Sequence, residues 1–134
     1  GKGVDKKRIL EKIDNCGYKD RIVFLEGRSD IPQIMRAMDV FILPSRWEGY
    51  PIVALEAQAM GLPCILSDRI TRECIVTDKI AMVSIDGPVA KWCDVIDKIR
   101  TGRDGVYEPV TGELGEYDIK CCIKKLEEIY SGNY

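Results

Sequence analysis

Histidine does not occur anywhere in this chain of 134 residues. Its absence removes the commonest general base at neutral pH and the commonest metal ligand. Any chemistry here must run through carboxylates, backbone dipoles or groups supplied from outside the chain. The six cysteines, Cys16, Cys64, Cys74, Cys93, Cys121 and Cys122, include no CxxC pair, so a zinc site would need scattered thiolates or carboxylates and is not expected. They sit inside apolar periodic segments and lack the even spacing of a disulfide framework. Free thiols in a reducing compartment are expected. No apolar run approaches the roughly 20 residues of a membrane-spanning helix, and no signal peptide is visible. Neither sign of charge dominates, with 20 Lys and Arg against 22 Asp and Glu. The basic residues near the start (Lys2, Lys6, Lys7 and Arg8) are interrupted by Asp5 and read as a solvated helix face, so no nucleic-acid partner is expected.

What is present alternates between two periodicities. The length suits one domain over residues 1–134 with one sizeable core. Residues 4–15 carry a helical pattern with Ile9, Leu10 and Ile13 on one face, and Gly17 offers a left-handed stop. Residues 21–25 read as a short strand. Residues 31–38 read as a helix capped by Ser29 or Asp30, with Pro32 tolerated in the first turn. Residues 40–43 form an apolar strand ended by Pro44, and a helix opened by Pro51 and closed by Gly61 follows. Strands at 63–66 and 81–85 precede an amphipathic helix over 88–100, with Val89, Trp92, Ile96 and Ile99 inward. A polar, glycine-rich stretch leads to a last helix over 116–130, striped by Ile119, Cys122, Ile123, Leu126 and Ile129. Short continuous apolar strands separated by helices predict an α/β fold: a Rossmann-like parallel sheet with helices on both faces. Ligands of such sheets bind at the carboxyl ends of strands, which directs attention to the loop 44–50.

Three features of that loop and the helix after it bear on function. Gly49 lets backbone approach a ligand, and Pro51 suits the first turn of a helix whose free N–H groups make an anion site. Glu56 is the only charged residue between Pro51 and Leu66, in a segment otherwise apolar except for Gln58. Burying even a neutral polar group without partners costs roughly 2–7 kcal/mol, so a buried Glu56 needs donors, and ligand hydroxyls would supply them. Equally open is that Glu56 reaches solvent or accepts from backbone N–H groups. Glu48, eight residues earlier, is unremarkable alone and informative only as one of a pair. A dinucleotide fingerprint is excluded at the start: Gly1-Lys2-Gly3 is not preceded by a strand, and Lys6 holds the third glycine position.

The pair Glu48 and Glu56 is an E-x7-E element within DVFILPSRWEGYPIVALEAQAMGLPCILSD. This block closely resembles the signature of glycosyltransferase family 4, the retaining group 1 transferases of GT-B architecture. The similarity extends over most of the chain. GKGVDKKRILEKI is similar to the segment after that family's second strand, and RIVFLEGRSDIPQIMRAMD to its third strand and following helix. LPCILSDRITRECIVTD resembles members that build bacterial capsular or exopolysaccharides, and EYDIKCCIKKLEEIY resembles the family's last helix. The resemblance implies that Glu56 binds the nucleotide ribose hydroxyls and that Glu48 contacts the donor sugar and stabilises charge at the reacting carbon. It also implies that the amides of Gly49, Tyr50 and Ile52 hold the diphosphate, and that Gly27 and Arg28 lie beside the base. Trp47 either flanks the donor sugar or packs beneath the loop, and Trp92 belongs to the core.

The implied fold is the carboxy-terminal, donor-binding half of a GT-B enzyme, lacking its first two strands and its amino-terminal acceptor domain. The implied strand order is 3-2-1-4-5-6. The basic pair that neutralises the diphosphate belongs to the missing stretch, so this fragment alone is expected to be inactive. Glu73 stands nearest the place of a further family glutamate. The implied substrate is a nucleotide-diphosphate sugar, a UDP-sugar foremost, with no other cofactor and no metal. A cytoplasmic location follows, with membrane contact only through the missing domain at the inner membrane face. The apolar stripe of the last helix predicts self-association. A non-catalytic nucleotide-sugar-binding module and a GT-B nucleotide-sugar epimerase are the alternatives. An epimerase would carry histidines and extra acids around its site, which this sequence lacks.

Overall fold

The computed structural model describes residues 5–102, and the chain divides into two compact units at residue 31. The amino-terminal unit holds helix α1 (Lys6–Asp14), none of whose residues is buried. Its end is closed twice, by Asn15 Nδ2 donating to the Glu11 carbonyl at 2.7 Å and by Gly17 at φ +68°, where a side chain would be strained. A single 3-10 turn (Lys19–Arg21) follows. The expected strand at 21–25 is not formed. Ile22 has extended backbone, but no ladder partner exists for residues 22–25 among the described residues, and all four side chains are exposed. An apolar, β-branched run sets the local conformation, whereas a strand also requires a neighbour to take its N–H and C=O groups.

The second unit carries the sheet. Helix α2 (Ile31–Arg36) opens at the boundary and buries Met35. Strands β1 (Phe41–Leu43), β2 (Cys64–Ser67) and β3 (Ile80–Val83) form a parallel sheet in the order β1-β2-β3, with Phe41 opposite Cys64 and Cys64 opposite Ile80. This chain-order run agrees with the 4-5-6 portion of the implied topology. Helix α3 (Ile52–Ala59) joins β1 to β2 and packs on both, while α4 (Val89–Thr101) packs on β2 and β3. Every residue of the central strand β2 is buried, so both of its faces are covered, as a continuous apolar strand requires. Ala54 and Ala57 are wholly buried on α3 beside a core that includes Ile65 and Leu66. Their small side chains let the helix lie close to the sheet. Gly61, at φ +72°, turns the chain out of α3 and back into β2.

Helix α4 departs from its expected face at one position. Val89 is 76% exposed, whereas Trp92, Ile96 and Ile99 are half-buried. Val89 is the first residue of the helix, directly after Pro88, and the inward stripe begins a turn later. Trp92 also donates its Nε1–H to the Ser84 carbonyl at 3.2 Å. Cys64 and Cys74 are buried free thiols, and Cys16 and Cys93 are exposed free ones. Burial, with Cys74 nearby adding to it, pushes the Cys64 thiol up to about 12, which keeps it protonated and unreactive. The expected last helix, the polar stretch before most of it, Cys121, Cys122 and the self-association argued from them fall outside the described residues. Among the described residues, no helix is long and apolar enough to cross a membrane.

Candidate functional site

Because the three strands are parallel, their carboxyl ends meet on one edge, and the loops after them are tied together there. Ser67, the last residue of β2, donates its hydroxyl to the carbonyl of Ser45 in the loop after β1. Asp68 accepts from the Ile85 amide at 3.1 Å, linking the loop after β2 to the loop after β3. Asp86 accepts from Arg69 Nη2 at 2.8 Å and from Arg46 Nη1 at 2.9 Å, so one carboxylate joins all three loops. These bonds hold both acids below the usual carboxylate range. The Ile85 amide and then Ser84 act on Asp68, and Arg69 and then Arg46 act on Asp86.

Within the first loop, Glu48 is exposed and accepts a hydrogen bond from Ser45 Oγ at 2.7 Å. Trp47 is 90% exposed, so packing beneath the loop is ruled out for its indole. Gly49 has an ordinary negative-φ backbone, and a Cβ built there meets open space. The fold itself therefore does not require glycine at this position. Tyr50 reaches from the loop to the 3-10 turn Arg72–Cys74, donating its hydroxyl to the Glu73 carbonyl at 3.3 Å. Pro51 is buried at the start of α3, and no side chain caps that helix. The Ile52 amide donates to the Tyr50 carbonyl and the Ala54 amide to the Pro51 carbonyl, each at 2.9 Å.

Glu56 differs from the buried alternative considered for it. It is exposed, and its carboxylate has no hydrogen bond or ion pair among the described residues. Helix α3 buries Ala54, Ala57 and Gln58, a set spaced by three and four residues. Ile52 and Glu56, themselves four apart, share the opposite, open face. The apolar composition of the segment said that a face would be buried without saying which polar residue lay on it. That residue is Gln58, which the sequence reading passed over. Its Nε2 donates to the Ala54 carbonyl at 3.1 Å and the Cys74 carbonyl at 2.7 Å, while its Oε1 accepts from the Val76 amide at 2.9 Å and from Thr77 Oγ1 at 3.4 Å. The available signal was its spacing, one turn from Ala54 and three residues before Gly61.

Gly27 and Arg28 belong to the amino-terminal unit. Gly27 is left-handed at φ +55°, and the Arg28 guanidinium is fork-paired to Asp30, with Nε 2.7 Å from Oδ1. Among the described residues, no group of three or more His, Cys, Asp or Glu side chains is placed to hold a metal ion.

The family described as glycosyl transferases group 1 matches residues 1–103. EpsF of Bacillus subtilis (strain 168), a protein named as a glycosyltransferase, is 35% identical over 128 residues, covering 92% of this chain and 33% of its own. A UDP-Gal:alpha-D-GlcNAc-diphosphoundecaprenol alpha-1,3-galactosyltransferase of Escherichia coli is 51% identical over 65 residues, covering 48% of this chain and 17% of its own. The lipopolysaccharide core biosynthesis mannosyltransferase LpsB of Rhizobium meliloti (strain 1021) is 38% identical over 63 residues, covering 47% and 18%. The chain thus spans about a third or less of the length of these relatives. This chain belongs to the group 1 glycosyltransferases.

Proposed function

We propose that this chain is the nucleotide-sugar-binding part of a transferase that moves a hexosyl group, with retention, from a nucleotide-diphosphate sugar to a glycan or lipid-linked acceptor. The observation that carries this reading is the pairing of Glu48 and Glu56, both exposed, on either side of the uncapped start of α3. The amides of Gly49 and Tyr50 meet the diphosphate at that helix start, where backbone dipoles favour negative charge. The Ile52 amide joins them on leaving its 2.9 Å bond to Tyr50. Glu56, without a partner among the described residues, accepts from two ribose hydroxyls, and Glu48 faces the reacting sugar. UDP is the favoured carrier, in keeping with the UDP-Gal named for the Escherichia coli relative. A role in building a polysaccharide or lipid-linked glycan is in keeping with the diphosphoundecaprenol and lipopolysaccharide core named for two of the relatives.

Calorimetric titration of the chain with UDP, GDP and ADP tests this reading. One diphosphate should bind, and Glu56→Ala should weaken it roughly 30-fold or more, because each hydrogen bond to a charged group contributes about 1.5–3 kcal/mol. Equal affinity in the variant would remove Glu56 from the site. Gly49→Ala separates fold from ligand. Its thermal stability should stay within about 0.5 kcal/mol of the parent, since the added methyl meets open space. UDP affinity should nevertheless fall, because the methyl stands where the diphosphate meets the backbone. A stability loss above about 1 kcal/mol would show that the glycine serves the fold instead.

A further inference from the structure

Next to Glu48 in the chain begins a second cluster, of which the donor contacts proposed above use no residue. Arg46, Trp47, Arg69, Ile85 and Asp86 line a cavity of about 190 Å³ at the carboxyl edge of the sheet. Pockets for drug-sized ligands run to roughly 300–1,000 Å³, so this smaller one is on the scale of a single substituted ring. The cavity is lined by two cations and one anion. Arg46 and Arg69 each engage Asp86 through one terminal nitrogen, and a guanidinium has five N–H donors in a planar fork. Asp68 is adjacent in sequence, but it does not line the cavity and its carboxylate is engaged by the Ile85 amide. Glu48, on the other side, is engaged by Ser45. With Asp68, whose charge acts on Arg69, the cluster is balanced in formal charge, but both guanidiniums keep unused donors.

Stability alone does not account for this arrangement. The side chains of Arg46, Arg69 and Asp86 are 65%, 57% and 49% exposed, and exposed ion pairs contribute about 0–1 kcal/mol. Trp47 lines the same cavity at 90% exposure, so its indole gains almost nothing from the fold. A flat apolar ring next to forked cationic donors matches a ligand that offers a sugar face and an anion together.

We propose that Arg46, Arg69 and Trp47 form a subsite for a sugar ring bearing a carboxylate or a phosphate, with Asp86 occupying the two guanidiniums when no ligand is bound. The subsite goes beyond the donor contacts proposed above and shares no residue with them. The anionic sugar is either the transferred group of the donor or a unit of the acceptor.

The test is titration of the chain with glucuronate, glucose 1-phosphate, glucose and inorganic phosphate, followed by calorimetry and tryptophan fluorescence. At least one acidic sugar should bind saturably and shift the emission of Trp47. Glucose and inorganic phosphate should each bind at least about tenfold more weakly, since each lacks one half of the recognised chemistry. Arg69→Gln should weaken the acidic sugar about tenfold. Asp86→Asn should tighten it about two- to fivefold by removing the competing carboxylate. An ion-pair latch with no ligand would not give these opposite signs. Glu56→Ala should leave acidic-sugar binding unchanged, so failure of the nucleotide reading and failure of this one are separable. If Arg69→Gln weakens UDP-glucuronate and spares UDP-glucose, the anion is on the donor. If it spares both while still losing free glucuronate, the anion is on the acceptor. No saturable binding of either acidic sugar, equal binding of glucose or of inorganic phosphate, or indifference to Arg69→Gln would each overturn the proposal.

Discussion

Glu48→Gln in the full-length transferase is expected to lower kcat on the order of 10²–10³-fold, the usual cost of removing one preorganised electrostatic group from a transition state. Glutamine keeps the length of the side chain and can still accept the Ser45 hydroxyl now 2.7 Å from Oε1. The substitution therefore removes a charge and little else. Glu48 is exposed, so folding stability should change by less than about 0.5 kcal/mol. The donor KM should move by less than about threefold, because charge at the reacting carbon develops only in the transition state. A kcat loss below about fivefold would place Glu48 outside the chemistry. A loss expressed mainly in KM would make it a ground-state sugar contact instead.

Gln58→Leu is expected to cost roughly 3 kcal/mol of folding stability. The amide is wholly buried and serves the Cys74 carbonyl, the Val76 amide and the Thr77 hydroxyl from one position on α3. Leucine fills the same space but leaves the Cys74 carbonyl and the Val76 amide without this partner. Each buried group left unpaired costs about 1–3 kcal/mol, and only part of that is offset by burying a more apolar side chain. Gln58→Glu should fare no better near neutral pH, since it places a charge where desolvation is complete. Urea denaturation checks both. A midpoint shift equivalent to less than about 1 kcal/mol for Gln58→Leu would mean that segment 74–77 relaxes to pair its backbone elsewhere.

The same segment connects this internal support to the site, because the hydroxyl of Tyr50 bonds to the carbonyl of Glu73, one residue before Cys74. Helix α3, the 3-10 turn after β2 and the loop after β1 are thus held by two bonds from opposite ends, one buried and one exposed. Glu73, expected to stand near the place of a family glutamate, enters this arrangement through its backbone. That role is independent of side-chain identity, so no residue-by-residue likeness could have indicated it.

Much of the architecture was legible because it is written in local periodicity and in glycine and proline placement. The continuous apolar runs that became β1, β2 and β3, the stops at Gly17 and Gly61, and the loop between Pro44 and Pro51 all arise from interactions within a few residues. The block DVFILPSRWEGYPIVALEAQAMGLPCILSD likewise carries the resemblance to the group 1 transferases, the family to which the chain belongs. What sequence alone misjudged or left open were matters of partnership. Residues 22–25 have the composition of a strand and no neighbour to pair with among the described residues. Val89 has the right spacing one turn too early, and of the two places left open for Trp47 the packed one is not taken. Glu56 took the exposed one of the two environments left open for it, and Gln58, two positions on, took a buried one that had not been considered. A helix places residues two apart some 200° around its axis, so burying one exposes the other, and only packing against the sheet decides which. The meeting of Arg46, Arg69 and Asp86 was equally out of reach, since it joins three loops that are adjacent only once the parallel strands bring their carboxyl ends together.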